Sequence, residues 1–359
     1  MSDHPGFCVL LFSRRSSATE SAERERRHED PDAMDAAPIR HACRLLAVAV
    51  ALVSIGTSIW HSRRASAADL PCPGAAPDVW VVSTRGMPGI CRLPASANLR
   101  VERLRADGTA WDRSDLASLL DEPQRPVMVF IHGNRYSAAE ARQQGLDLAR
   151  RAAACGDANM RTVIYSWPSE QQGILLKDGR AKYERAFSEG HYLAWLLGQF
   201  EPGRPVAIVG YSYGAIITLE AIEDLVIAER SGASSVHPWT SRPGAVNLVF
   251  IAAAIRCDAL APRGPYREVV DRLDRLTLLV NSIDDALRFF PFLDCSQRAD
   301  ALGYVGMPRS WVPATVEFSS VDAANVVGRT HGFQHYLASP SLMRRICRGA
   351  TTGLVPAID

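Results

Sequence analysis

The chain has 359 residues, of which 47% are hydrophobic and 22% charged; this excludes wholesale disorder and leaves apolar material for a sizeable core. Its 40 basic and 39 acidic residues leave a formal net charge of +1. That balance excludes the strong basic excess of a dedicated nucleic-acid binder, so no nucleic-acid partner is expected.

Residues 1–42 read as a disordered tail, because 13–40 are polar and charged with few apolar anchors. Residues 43–60 read as a signal or membrane-anchor segment, whose portion 45–60 carries no charge. A spanning helix needs about 20 apolar residues and a signal core about 7–15, so this stretch lies between the two. If translation starts at Met34, Arg40 and Arg44 form the basic flank and Ala65-Ser66-Ala67 resembles a cleavage site. If it starts at Met1, an uncleaved anchor is the better reading, and Arg63 and Arg64 count against clean cleavage. Either way the expectation is export or anchoring, facing the periplasm or cell envelope, with membrane association through 43–60.

After a linker at 61–77, one α/β domain is expected over 78–350, with 351–359 as a tail. The apolar runs 79–82, Val127–Ile131, 162–165, 206–209, 246–252, 276–280 and 315–318 read as strands. Between them, Ser137 and Glu140 have capping-box spacing ahead of a helix marked by Ala141, Gly145, Leu148 and Ala152. Further helices are expected over 183–200, closed by Pro202-Gly203, and over 213–228. Continuous rather than alternating apolar strands imply burial on both faces, hence a mostly parallel sheet with helices on both faces.

The strongest local signal is Gly210-Tyr211-Ser212-Tyr213-Gly214, set between a strand and a helix. A nucleophilic serine on so sharp a strand-to-helix turn needs small residues two before and two after it, and Gly210 and Gly214 supply them. Acyl transfer also needs two backbone N–H donors for the developing oxyanion. Tyr213, next after Ser212, offers one; the loop after Val127–Ile131 offers the other at Asn134, with Gly133 as the alternative. His132 in that loop precedes the nucleophile and reads as a loop-shaping histidine bonded to backbone. The base is expected late in the chain at His331, with His335 as the competitor one turn on. The acid is expected after a late strand at Asp284, with Asp285 and Asp258 as alternatives. Trp167, Tyr183 and Trp195 read as core or rim packing, ahead of any acyl-lining role.

Eight cysteines occur, without a C-x-x-C pair, and there is no H-E-x-x-H, so neither a zinc nor a dithiol redox site is expected. Six of them follow residue 70; in an exported domain they become disulfide candidates, with Cys72 and Cys91 the nearest pair.

With these motifs in place the chain resembles an α/β-hydrolase. More narrowly it resembles a bacterial family of serine hydrolases known only as an uncharacterised domain. The resemblance rests on Ile131-His132-Gly133-Asn134, Ser166-Trp167-Pro168-Ser169, the elbow at Ser212, Asp284-Asp285-Ala286-Leu287 and His331-Gly332-Phe333, and covers about residues 125–345. The chain departs from the family at the elbow, where Tyr211 and Tyr213 stand in place of the usual His and Met. The resemblance implies the α/β-hydrolase fold and a Ser-His-Asp hydrolase acting on a small-molecule acyl substrate, esters first, without a cofactor or metal. The competing expectation is a catalytically silent envelope protein that keeps the fold for binding or assembly.

Overall fold

The computed structural model describes residues 77–155, 159–173, 175–293 and 298–354. The expected tail, signal or anchor segment and nearly all of the linker therefore lie outside the described residues, as do Cys72, Cys295 and residues 355–359. Among the described residues no helix is long and apolar enough to cross a membrane.

Nine strands form one sheet: β1 (Val79–Ser83), β2 (Arg100–Leu104), β3 (Trp111–Ser114), β4 (Val127–Ile131), β5 (Arg161–Ser166), β6 (Val206–Tyr211), β7 (Val246–Ile251), β8 (Arg275–Val280) and β9 (Glu317–Asp322). Their spatial order is β3-β2-β1-β5-β4-β6-β7-β8-β9. Only β1–β2 and β2–β3 pair antiparallel; every other neighbour pair is parallel. Every residue of β4 through β8 is buried, which is what two-sided helical cover requires.

Six helices matter for the site: α1 (Ala138–Cys155), α2 (Leu175–Leu197), α3 (Gly214–Arg230), α4 (Leu302–Val305), α5 (Phe333–Ala338) and α6 (Pro340–Thr351). The capping box at the start of α1 forms: Ser137 N–H donates to Glu140 Oε2 at 2.8 Å, and Glu140 N–H to Ser137 Oγ at 3.2 Å. Register shows which face α1 and α6 cover. Ile164, Phe130, Val209, Val249 and Thr277 lie in one row across β5, β4, β6, β7 and β8. A Cβ on Gly145 of α1 would lie 2.4 Å from Ile164 Cγ1, and one on Gly349 of α6 would meet Thr277 and Val249. Both helices thus press backbone onto that row, and α2 and α3 cover the opposite face as a packed pair. The result is the α/β-hydrolase architecture.

Several expected bounds shift. The last strand is Glu317–Asp322, not 315–318, and it is a half-exposed edge with little apolar signal. Helix α2 starts at Leu175, eight residues before the expected start at 183, with Gly179 inside it. No apolar run marks strands β2 and β3: β2 reads Arg-Val-Glu-Arg-Leu and β3, Trp-Asp-Arg-Ser, is mostly polar. Cys91 and Cys347 are each disulfide-bonded, and Cys257 is a free thiol.

Gly145→Ala tests the α1 contact. Helix propensity alone favours Ala by about 1 kcal/mol. The Cβ would overlap a fully buried strand residue, and overpacking costs about 1–3 kcal/mol. The expected outcome is a net loss of stability, read as a lower denaturation midpoint at unchanged m-value.

Candidate active site

Strand β6 ends at Tyr211, and the chain turns at Ser212 into α3. Ser212 adopts φ +54°, the left-handed region that L-residues occupy only under compulsion. Its N–H donates to Ile251 O at 3.0 Å and its carbonyl accepts from Ala254 N–H at 3.1 Å, so β7 and the following turn hold it. The flanking glycines are required by distance. A Cβ on Gly214 would lie 2.3 Å from Ile131 O, and one on Gly210 would lie 3.0 Å from Gly214 O. The Ser212 residue is only 4% exposed.

Ser212 Oγ lies 2.9 Å from His331 Nε2, and His331 Nδ1 lies 2.7 Å from Asp284 Oδ2. Asp284 is fully buried on the loop after β8. Its second oxygen, Oδ1, accepts from Ala286 N–H at 2.9 Å and Leu287 N–H at 3.0 Å. Both carboxylate oxygens are thereby committed, which fixes the proton of His331 on Nδ1 and leaves Nε2 to accept from the serine hydroxyl.

The other candidates are engaged elsewhere. His335 is exposed on α5. Asp285 pairs with Arg329 at 2.6 Å, and Asp258 makes a two-pronged contact with Arg256 at 2.6 and 2.8 Å. None of the three is brought to Ser212.

The loop after β4 presses on the elbow. A Cβ on Gly133 would lie 2.9 Å from both Ser212 Cβ and Tyr211 Cε1. Asn134 turns its Oδ1 to the Arg135 N–H at 2.9 Å, and Arg135 takes φ +65°. Among the described residues nothing accepts from the N–H groups of Asn134 or Tyr213. His132 is fully buried; its Nδ1–H donates to Gly133 O at 2.9 Å and its Nε2 accepts from Trp167 N–H at 3.2 Å. Trp167 answers with Nε1–H to His132 O at 2.9 Å. Ser169 Oγ adds bonds to both backbone groups of Tyr136. His132 therefore shapes the loop, and the Ser166–Ser169 stretch is the brace behind it. Trp167 and Trp195 are buried core, whereas Tyr183 packs edge-on against Tyr213 and Phe290.

His191, Glu220 and Asp224 form the one mixed cluster with metal-ligand potential among the described residues. Two of its members are already bonded to each other, His191 Nδ1 to Asp224 at 2.5 Å, and Glu220 accepts from Tyr266 O–H at 2.8 Å. It lies between α2 and α3, and none of its residues belongs to the Ser212 relay.

Sequence reasoning missed Tyr211 and Asn281. Tyr211 O–H donates to the His331 carbonyl, and Asn281 Nδ2 donates to Gly328 O and Thr330 O. Each partner stands more than forty positions away in the chain, and no local pattern marks such a contact.

The family model described as alpha/beta hydrolase of unknown function (DUF900) matches residues 109–347, and the chain belongs to that family. Similar solved structures include a gene product of Listeria innocua (10% identity, 63% of this chain and 93% of that one, TM-score 0.35). They also include esterase B of Lactobacillus rhamnosis (12% identity, 86% and 91%, TM-score 0.34) and an esterase of Pyrobaculum calidifontis (15%, 89% and 92%, TM-score 0.34). No curated protein matches the chain.

Burial lowers the His132 pKa from 6.5 to about 3. Between those values the unfolded chain binds the proton and the folded one does not, so this contribution is complete above pH 6.5 and is lost as pH falls toward 3. His132→Asn is expected to be less stable at pH 7 and to lose stability less steeply between pH 6.5 and 3.5 than the parent. Denaturant midpoints across that range measure it.

Proposed function

We propose that this α/β-hydrolase is a serine hydrolase that cleaves an ester-type acyl substrate through a covalent acyl-enzyme. The observation that carries the reading is the continuous relay from Ser212 Oγ through His331 to buried Asp284 on a strand-to-helix turn. Ser212 Oγ attacks the acyl carbonyl as His331 Nε2 takes its proton. The oxyanion is received by the N–H groups of Tyr213 and Asn134, at the positive end of α3. His331 then delivers the proton to the leaving alkoxide, and the alcohol departs. Water, deprotonated by the same Nε2, attacks the acyl-serine, and the acid leaves as the proton returns to Ser212 Oγ. Asp284 holds the imidazole and balances the imidazolium in both halves. This chemistry uses the chain's own groups.

An apolar acyl group is favoured by the rim. Ile283, Phe292 and Val305 are exposed beyond the C-terminal end of β8, and Val326 beyond that of β9. In a parallel sheet these ends lie on the same edge as the end of β6, where Ser212 stands.

The catalytic domain is taken as 78–350, carried behind the segment 43–60 to the outer side of the cell membrane. The bonded Cys91 and Cys347 support that placement, because disulfides persist in oxidising compartments.

A fluorophosphonate probe tests the assignment. The folded parent protein is expected to label, and Ser212→Ala to lose labelling entirely. His331→Ala and Asp284→Asn are expected to slow it by about 10³–10⁴-fold. His335→Ala and Asp258→Asn are expected to label at the parent rate. A folded parent protein that stays unlabelled overturns the hydrolase reading in favour of a binding role.

A further inference from the structure

The loop that carries His331 has no regular structure, yet four consecutive carbonyls in it are each held by a donor. Asn281 Nδ2 donates to Gly328 O at 2.8 Å and to Thr330 O at 3.3 Å. The Asp285 N–H donates to the carbonyl between them, Arg329 O, at 3.0 Å. The Tyr211 hydroxyl donates to the next one, the carbonyl of His331 itself.

The donors come from the segments that carry the other two members of the relay. Tyr211 immediately precedes Ser212. Asn281 and Asp285 bracket Asp284 in the loop after β8. The three segments are thus tied to one another twice, once through the side chains of Ser212, His331 and Asp284 and once through this row of carbonyls.

Both side-chain donors are themselves fixed. Asn281 is fully buried; its N–H donates to Gly303 O at 2.8 Å and its Oδ1 accepts from Ile283 N–H at 3.3 Å. The Tyr211 ring is buried between the rings of His331, at 5.3 Å, and Phe333, at 5.0 Å, with Tyr136 at 6.3 Å. Phe333 opens α5 and stacks on Phe130 of β4 at 5.0 Å, so the far side of the base loop is anchored on the sheet.

We infer that Tyr211 and Asn281 are positioning residues, which set the backbone of the base loop so that His331 Nε2 meets Ser212 while Nδ1 stays on Asp284. The inference rests on the hydrolase reading of the site. The physical need is plain. The imidazole must hand its Nε2 proton between two reacting oxygens within hydrogen-bond reach, and a shift of the order of 1 Å costs about 10²-fold in rate. A loop without a ladder depends on such individual donors, together with the Phe333 anchor, to be held at that tolerance.

Tyr211→Phe is the test, because it removes one hydroxyl and keeps the ring packing. Asn281→Ala is the companion variant. The readouts are melting temperature, fluorophosphonate labelling rate, kcat and KM on a short-chain p-nitrophenyl ester, and the downfield proton resonance of the His331 Nδ1–H, assigned by its absence in His331→Gln. The expected result for Tyr211→Phe is a small change in melting temperature. With it go a labelling rate lower by about tenfold or more, a kcat that falls with little change in KM, and a shifted or broadened resonance. Unchanged rate and resonance in Tyr211→Phe overturn the inference while leaving the hydrolase reading standing. If the parent protein neither labels nor turns over ester, the hydrolase reading falls. The resonance comparison then still decides whether Tyr211 holds His331.

Discussion

The left-handed turn at Ser212 is the constraint around which the candidate active face is built. A non-glycine residue at positive φ costs of the order of 1–3 kcal/mol and persists only where its surroundings compel it. Here the compulsion is backbone contact on several sides. Strand β7 and the turn after it bond both peptide groups of Ser212, and Ile131 of β4 lies where a side chain on Gly214 would need to be. The Gly133 loop closes on the serine Cβ from another direction. The elbow can form because three neighbouring glycines leave room for it, and because the three central strands on which it rests are buried throughout.

The loops that bring the other groups to Ser212 lack regular structure and are stabilised by specific donors instead. On one side His132, kept neutral by burial, stitches the Gly133–Asn134 loop to Trp167. On the other side Asn281, Asp285 N–H and Tyr211 stitch the carbonyls of 328–331. Asp284 is buried with every oxygen occupied, so the geometry of the proposed relay is held by hydrogen bonds as well as by packing.

What could be read from the sequence follows from these physics. Strands buried on both faces announce themselves as unbroken apolar runs, so β4, β6, β7 and β8 were legible. The edges were legible only in part. β2 and β3 are antiparallel additions without an apolar run, and β9 reads Glu-Phe-Ser-Ser-Val-Asp, whose half-exposed edge leaves so little apolar signal that only its first residues fell within the expected strand 315–318. Ser212 was legible because its glycine neighbours are a steric requirement. The choice of Asp284 over Asp285 was less so, since adjacent loop residues differ only in direction. One turns inward to His331 and the other outward to Arg329. Tyr211 and Asn281 were illegible as partners of the base loop, because their contacts close only when the whole sheet is assembled.

An acyl-enzyme on Ser212 is tested by acid-quench mass spectrometry during turnover of a short-chain p-nitrophenyl ester. The protein should gain the mass of one acyl group within the first turnover, and peptide mapping should find that group on Ser212. Hydrolysis with no acylated protein at any quench time, or an acyl group on another residue, would contradict it.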